Sequence, residues 1–221
     1  ENFICLQYLN KMMTSKILSF YKELLEIRSF DGLPSNWQLV NPYLQHWDRF
    51  EFFIKKYYDD GKPRSLIIAL NPGRYGCNKT GIALTDENVL FTKLGFPHNS
   101  HKPEVEGTAT KIYSIIEELH PNFETFFSKF FMTNIFPFGV VADGKNVVFN
   151  KIIQIPSIKK YSKDFVSKSI EIFNPNRIIC IGRGSEKFML KNFPDLDRIY
   201  LHHPAYTFPE KEKEKYRDHL K

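Results

Sequence analysis

Length, composition and charge describe one globular domain. The chain has 221 residues and a mass of 26.1 kDa, enough for a complete hydrophobic core. Hydrophobic residues make up 42% of it and charged residues 25%, which excludes a disordered chain. No apolar run approaches the roughly 18–20 residues that span a bilayer. The net charge of +6 slightly favours a polyanionic partner. The N-terminal residues lack the pattern of a signal peptide, so we expect a cytoplasmic protein, monomeric and with no membrane partner.

The cysteines give no sign of a disulfide framework or a metal site. Cys5, Cys77 and Cys180 are odd in number and far apart in the sequence. Disulfide scaffolds use even sets of cysteines, and zinc or iron–sulfur sites use Cys-x-x-Cys pairs. We therefore expect reduced thiols, with Cys180 in the core, and neither a metal nor a cofactor.

Hydrophobic periodicity predicts helices and strands that alternate along the chain. Residues 1–60 are predicted to form a helical extension, with one helix over 13–28 and a second that begins at Asn41-Pro42. Unbroken apolar runs predict buried strands at 65–70, 130–134, 177–181 and 198–202. Further helices are predicted at 86–94, 110–119, 163–173 and 182–191, and a charged, solvated helix is predicted from Pro209 onwards.

This alternation predicts a single three-layer α/β/α domain over residues 1–221, with a central four-stranded, mostly parallel sheet. Ligands of such sheets bind outside the carboxyl ends of the strands. Polar side chains follow three of the predicted strands, at Asn71, Asn134 and His203. We therefore expect these three residues to converge on one site.

The first polar loop begins with Leu70-Asn71-Pro72-Gly73-Arg74-Tyr75-Gly76 and runs to Asp86. Read alone, Asn-Pro-Gly favours a simple tight turn, because Pro fixes φ and Gly accepts a positive φ. The glycine spacing does not fit a nucleotide-binding loop. The length and glycine content of the loop would, however, let backbone amides and the Asn71 carboxamide approach a flat ligand.

The other two polar positions each have a structural and a functional interpretation. Asn134 could cap its strand, or its carboxamide could pair with O4 and N3–H of uracil, an edge whose pattern cytosine reverses. Adjacent residues of an extended chain point to opposite faces, so at most one of His202 and His203 is expected in a site. A histidine there could hydrogen-bond the negative charge that develops on a departing base.

Together with neighbouring motifs, these positions resemble the uracil-DNA glycosylase superfamily, and most closely its single-strand-selective monofunctional branch. The resemblance covers residues 61–210 in the family's order. The segment Glu104-Val105-Glu106-Gly107 is similar to a Ser-Glu-Val-Ser-Gly segment of the family. The other matching segments are Leu70-Asn71-Pro72-Gly73, Tyr75-Gly76, Lys79-Thr80-Gly81, Phe131-Met132-Thr133-Asn134-Ile135-Phe136-Pro137, Ile178-Ile179-Cys180-Ile181-Gly182-Arg183 and His203-Pro204.

The resemblance implies a monofunctional DNA glycosylase of base excision repair, which acts without lyase activity and without a cofactor. It would hydrolyse the N-glycosidic bond of uracil, or of a related deaminated or oxidised base, in single- or double-stranded DNA after flipping the base from the stack. Asn71 would position the attacking water and His203 would stabilise the departing base. The residues expected to bind the base are Leu70, Gly73, Tyr75, Leu84 and Asn134.

The chain departs from the family pattern at two places. Leu84 stands where the branch has an aromatic residue that stacks on the base, although Tyr75 could supply a ring. After His203-Pro204, the family's Ser-Pro-Arg-Asn is replaced by 205–208, in which Tyr206 or Phe208 could wedge into DNA or anchor the C-terminal helix. The residues expected on the DNA backbone are Arg74 and Lys79. These departures suggest a divergent, bacterial subgroup.

Two other functions stay open on the sequence alone. A mismatch-specific thymine/uracil glycosylase also has an Asn in its first motif, but a catalytic histidine in the second motif is not expected of that branch. A non-catalytic nucleic-acid-binding protein on the same fold would share the basic charge and a pocket. Convergence of Asn71, Asn134 and His203 on one cavity would favour the enzyme.

Overall fold

The computed structural model describes residues 13–98 and 101–221. The strands are β1 (Trp37–Val40), β2 (Ser65–Ala69), β3 (Phe130–Asn134), β4 (Gly139–Ala142), β5 (Lys145–Asn146), β6 (Ile178–Ile181) and β7 (Arg198–Leu201). The helices are α1 (13–22, continued by a 3₁₀ turn at Glu23–Glu26), α2 (Pro42–Gln45), α3 (Trp47–Tyr57), α4 (Cys77–Thr80), α5 (Glu87–Thr92), α6 (Gly107–Leu119), α7 (Phe123–Phe127), α8 (Phe149–Ile152), α9 (Pro156–Phe173), α10 (Arg183–Asn192) and α11 (Glu210–His219).

Within the described residues, β3, β2, β6 and β7 form, in that order, a parallel four-stranded sheet. The predicted fold class is therefore confirmed. β2 and β3 are buried along their whole length, which explains why their sequences are unbroken apolar runs rather than alternating ones. Because all four strands run the same way, their carboxyl ends meet at one edge of the sheet.

Helices cover both faces of this sheet. Successive side chains of a strand point to opposite faces, and the aromatic neighbours of β3 lie accordingly. Phe131 stacks on Phe173 of α9, with ring centroids 4.1 Å apart. Phe130 stacks on Phe126 of α7, at 5.0 Å. The sheet is thus the middle of three layers, and its core is largely built from phenylalanine and tyrosine rings.

A second, antiparallel sheet joins the N-terminal segment to the middle of the chain. β1 pairs with β4, and β4 pairs with β5 across a turn at Asp143 and Gly144, both of which have positive φ. These strands are not predicted from the sequence, because runs of two to four residues are too short to show a period. Residues 13–60 are therefore mostly helical but also carry β1, while residues 1–12 of the predicted extension lie outside the described residues.

Other boundaries differ from the predicted ones. α9 begins at Pro156, seven residues before the predicted start, because a proline fits the first turn of a helix. Cys77 and Cys180 are buried free thiols, whereas Cys5 lies outside the described residues. Among residues 13–98 and 101–221, none of the helices combines the length and apolarity that crossing a membrane would need.

Candidate active site

A cavity of about 570 Å³ opens at the carboxyl edge of the parallel sheet. Its lining residues come from four segments, 70–73, 146–150, 182–184 and 200–206. Three of these follow β2, β6 and β7, as expected for a site beside parallel strands. Asn71 and His203 both line the cavity, so the structure brings together the two residues that sequence analysis assigns to catalysis.

The Asn71 loop is held at its start by the strand next to it. In register, Asn134 of β3 lies beside Ala69 of β2. The backbone N–H groups of Ile135 and Phe136 then donate to the carbonyl oxygens of Ala69 and Leu70, at 2.8 and 3.0 Å. The backbone immediately before Asn71 is therefore fixed by the sheet. Leu70 and Gly73 line the cavity.

The far end of the loop is braced by charged side chains. The Arg49 guanidinium donates to the carbonyl oxygen of Lys79 and, at 2.7 Å, to Glu87 Oε1. A second Glu87 oxygen accepts from the backbone N–H of Glu104 at 3.0 Å. Lys79 therefore contributes its backbone to loop structure, while its ammonium group makes no hydrogen bond or ion pair to any described residue.

His203 is half-buried where the segment after β6 and the segment after β7 approach each other closely. Gly182 has a φ of +85°, and a Cβ there would lie 3.2 Å from Cβ of His203, so glycine permits this contact. The N–H of Gly182 donates to the carbonyl oxygen of Leu201 at 2.7 Å, which ties β6 to the end of β7. Burial, and then the neighbouring His202, lower the pKa of His203. The ring is therefore neutral at neutral pH.

His202 and His203 both line the cavity. β7 ends at Leu201, so the two histidines lie beyond the pairing of the sheet. The carbonyl oxygen of His202 accepts from the Tyr216 hydroxyl at 2.7 Å, while its Nε2 is buried and has no partner among the described residues.

Asn134 is buried behind the loop and is not among the residues that line this cavity. Its Nδ2 donates to the sulfur of Cys77, at 3.5 Å. Sulfur is a weak acceptor, so this carboxamide can exchange its partner at small cost. The expectation that all three residues line one cavity is therefore wrong for Asn134, which is buried, and only Asn71 and His203 line it.

Leu84, which stands at the family's aromatic position, and Tyr75, which could supply a ring instead, lie in different environments. Leu84 is buried with a φ of +58° and packs in the core. Tyr75 is exposed, and the Arg74 guanidinium lies 4.4 Å from its ring centroid. Arg74 also donates to the carbonyl oxygen of Gly144. The Asn71 loop is thereby tied to the β4–β5 turn, and neither Leu84 nor Tyr75 lines the cavity.

Tyr206 and Phe208, the two predicted wedge residues, are separated by their packing. Tyr206 is 70% exposed and lines the cavity. Phe208 is half-buried and packs edge-on against Tyr216 of α11, with ring centroids 5.2 Å apart. The geometry therefore suits Phe208 to anchoring the C-terminal helix, and leaves Tyr206 free to meet a ligand.

One wall of the cavity and a cation at its rim are not predicted from the sequence. Residues 146–150 line the wall and include the exposed Val148. These residues belong to no motif. They are placed at the cavity by the pairing of the short strands β4 and β5, which is not recognisable in the sequence. Arg183 is exposed at the start of α10, 3.7 Å from the Tyr200 ring centroid, and pairs with Glu186. Its position after the predicted strand and Gly182 was the available signal.

The described residues contain no cluster of side chains that would bind a metal ion. Across 13–98 and 101–221, no three His, Cys, Asp or Glu side chains are grouped as metal ligands would be. The lining residues supply amide and imidazole side chains and backbone dipoles around a cavity large enough for a nucleobase.

A parallel α/β sheet with an Asn-bearing first loop and a histidine after the last strand is the arrangement of a base-excising DNA glycosylase. The chain belongs to the uracil DNA glycosylase superfamily, whose family model matches residues 55–221. This match includes all of the elements that line the cavity.

Individual relatives agree with this family. A curated relative, the single-strand selective monofunctional uracil DNA glycosylase of Bos taurus, is 20% identical over 197 residues, which cover 79% of this chain and 72% of the relative. Among solved structures, wild-type SMUG2 of Pedobacter heparinus is 26% identical, with a TM-score of 0.81 over 93% of this chain and 95% of that one.

Proposed function

We propose that this protein is a monofunctional DNA glycosylase that hydrolyses the N-glycosidic bond of uracil in DNA. The observation that carries the proposal is that Asn71 and His203, from opposite ends of the sequence match, line one cavity at the carboxyl edge of the sheet. A non-catalytic DNA-binding protein would have no need for this pairing of a carboxamide and a neutral imidazole.

Asn71 is assigned to the attacking water. Its loop leaves β2 with the backbone already fixed by β3, so the carboxamide is held at the cavity wall without a large entropic cost on binding. An amide can accept from and donate to a water at once. Because the sugar develops oxocarbenium character as the base leaves, a positioned water suffices and no strong nucleophile is needed.

His203 is assigned to the departing base. A neutral imidazole N–H can donate to the uracil oxygen on which negative charge accumulates, and such a bond strengthens in the transition state. The half-buried setting of His203 strengthens this electrostatic interaction. We place O2 of the base on this side of the site.

Asn134 is assigned to reading the base. Uracil presents an acceptor at O4 and a donor at N3, which one carboxamide can satisfy together. Exchanging the weak N–H to sulfur bond of Asn134 for a bond to O4 would be favourable. The base would then pass Asn71 and enter between the loop and β3.

The test is release of uracil from a labelled oligonucleotide, with chelator present, followed by alkaline cleavage of abasic sites. We expect strand breaks only after alkali, because a monofunctional enzyme leaves the abasic strand intact. Asn71→Ala should lower the single-turnover rate by roughly 10²–10³, whereas Asn192→Ala on α10 should not change it. Survival of uracil, hydroxymethyluracil, hypoxanthine and xanthine in both single- and double-stranded DNA would refute the proposal.

A further inference from the structure

A second cavity, of about 300 Å³, lies beside the main cavity that Asn71 and His203 line. The two cavities share residues 146–148, so the exposed side chain of Val148 stands between them. The other residues that line this flanking cavity are 36–37 at the start of β1, 142–145 at the β4–β5 turn and Lys151 of α8. The flanking cavity is therefore placed where a strand bound in the main cavity would continue on one side.

The flanking cavity is held in place relative to the candidate catalytic loop. The backbone N–H of Val147 donates to the carbonyl oxygen of Val140 at 2.8 Å, which extends the β4–β5 hairpin into the shared wall. The Arg74 guanidinium donates to the carbonyl oxygen of Gly144, in the turn of that hairpin. Because Arg74 belongs to the Asn71 loop, the two cavities have a fixed spacing, as binding of successive units of one chain molecule requires.

Trp37 gives the flanking cavity an aromatic surface. It pairs with Ala142 across β1 and β4, which sets it beside the β4–β5 turn. Its side chain packs partly on the core, and it remains partly exposed at the cavity. In contrast to the stacked and edge-on rings of the core, the Trp37 ring contacts no other ring or cation among the described residues. One part of a large indole is therefore available for stacking by a ligand.

The charges at the flanking cavity favour an anionic ligand. Lys145 and Lys151 both line it and are exposed, and within the described residues neither ammonium group makes a hydrogen bond or an ion pair. Asp143 is the one acidic residue in the lining, so the lysines exceed it in charge. A basic groove with an aromatic side chain is the arrangement by which proteins bind single-stranded nucleic acid, through phosphates and stacked bases.

We propose that the flanking cavity binds a nucleotide next to the flipped one on the same DNA strand. The base of this nucleotide stacks on Trp37, and its phosphates contact Lys145 and Lys151. The inference rests on the proposed glycosylase function, since it takes the main cavity to hold one nucleotide of a DNA strand. Every base has a face that can stack, so this site adds affinity for the strand without selecting a flanking sequence.

The first experiment measures the affinity for a single-stranded oligonucleotide with one 2′-fluoro-2′-deoxyuridine, whose fluorine opposes positive charge on the sugar and so prevents excision. The nucleosides on both sides of it are either thymidines or abasic spacers. The spacers should weaken binding to the wild type by at least about fivefold, as loss of a stacked base does. In Trp37→Ala this difference should disappear, and in Trp37→Phe most of it should remain. Trp47→Phe, at the start of α3, should behave as the wild type.

A second measurement leaves Trp37 unchanged and so does not depend on the folding of its variants. The chain has two tryptophans, so Trp47→Phe leaves Trp37 as the only one. Stacking of a base quenches indole fluorescence. The emission of Trp47→Phe should therefore fall when the strand with thymidine flanks binds, and should change little when the strand with abasic flanks binds at saturation. Equal emission in the two complexes would overturn the proposal.

The phosphate contacts are tested by the salt dependence of binding. Each phosphate that a lysine contacts on a single strand contributes about 0.7 to the slope of log affinity against log salt concentration. Combining Lys145→Met with Lys151→Met should therefore lower this slope by about 1.4. Combining Lys163→Met with Lys168→Met, on α9 and outside both cavities, removes the same charge and should leave the slope unchanged.

The outcomes separate this inference from the proposed function. A protein that excises uracil but loses as much affinity to abasic flanks in Trp37→Ala as in the wild type would overturn the role of Trp37 and leave the glycosylase intact. An unchanged salt slope in the Lys145 and Lys151 variant would overturn the phosphate contacts. A protein that shows the Trp37-dependent preference for flanking bases but releases no uracil would support the flanking site and overturn the proposed function.

Discussion

The backbone N–H of Ala205 donates a hydrogen bond to Nδ1 of His203, at 3.2 Å. A neutral imidazole carries one proton, so an accepting Nδ1 leaves that proton on Nε2. Ala205, two positions after His203, therefore selects the tautomer of the ring. Because the pKa of His203 is also lowered, the ring at neutral pH is an uncharged donor through Nε2.

This tautomer and its catalytic weight can both be measured. We expect the ring ¹⁵N chemical shifts of His203 to report the Nε2–H tautomer at neutral pH. His203→Ala should lower the single-turnover rate by roughly 10²–10³, because a donor to the developing anion is lost. His219→Ala, at the end of α11 and outside the cavity, should leave the rate unchanged. An Nδ1–H tautomer, or a full rate in His203→Ala, would rule out the assigned role.

Tyr206 is predicted to be the residue that fills the space left by the flipped base. It is exposed at the cavity, and an inserted side chain compensates for lost stacking only in a duplex. Tyr206→Ala should therefore slow uracil excision from double-stranded DNA by at least about tenfold more than from single-stranded DNA. Tyr206→Phe should keep the wild-type ratio. An equal effect on both substrates would argue against a wedge.

Phe208 gives the contrasting prediction. Because its ring packs on Tyr216, Phe208→Ala should lower the free energy of unfolding by about 2–4 kcal/mol, as truncation of a packed aromatic does. The ratio of double- to single-stranded excision should stay at the wild-type value in the folded fraction. Urea denaturation and the excision assay measure the two effects separately. A stable variant with an altered ratio would transfer the wedge role to Phe208.

Lys111 of α6 holds the loop that carries His203 and Tyr206. Its ammonium group donates to the carbonyl oxygen of Pro204 at 2.7 Å and to that of Tyr206 at 3.4 Å. Lys111→Met keeps the aliphatic stem but removes both bonds. We expect a several-fold lower single-turnover rate at saturating enzyme with little change in melting temperature, since the loop loses its tether while the core is intact. Lys168→Met on α9 is the control, and an unchanged rate in Lys111→Met would contradict the tether.

The sequence predicts the sheet, and the meeting of Asn71 and His203 at its edge, because both depend on local patterns. The strand at 130–134 is continuous in hydrophobicity and ends at a polar residue, and the structure gives β3 the same bounds. Asn71 and His203 follow strands of the same kind, and parallel strands bring their carboxyl ends together regardless of loop detail. This is why two residues 132 positions apart in the sequence could be assigned to one cavity.

The features that the sequence could not provide depend on contacts between distant segments. β1 and β4 are recognisable only as a pair, since neither shows a period of its own. The Glu106 carboxyl group lies beside Gly73 and Gly76 of the Asn71 loop, which are distant from it in the sequence. Likewise, the choice between Tyr206 and Phe208 depends on where α11 packs. The spacing of residues within one segment does not predict such contacts between distant segments.

Two histidines make the folded state sensitive to mild acid. Burial, and then the nearby Arg49 and Lys79 charges, lower the pKa of His46 to about 4, and the pKa of His203 is lowered as well. The unfolded chain, with histidines near their ordinary value, therefore binds more protons than the folded one below about pH 6.5. Stability should consequently fall as the pH is lowered from about 6.5 towards the folded-state pKa of His46.

The measurement is urea denaturation at about pH 7 and at about pH 5, with His46→Gln beside the wild type. Glu106 acts in the opposite direction, because its raised pKa makes the folded state take up a proton above the ordinary glutamate value. This contribution is common to both proteins and cancels in the comparison. His46→Gln should lose less stability on acidification than the wild type does, since it lacks the group that must charge. An equal loss in His46→Gln would show that His46 titrates alike in the folded and unfolded chains.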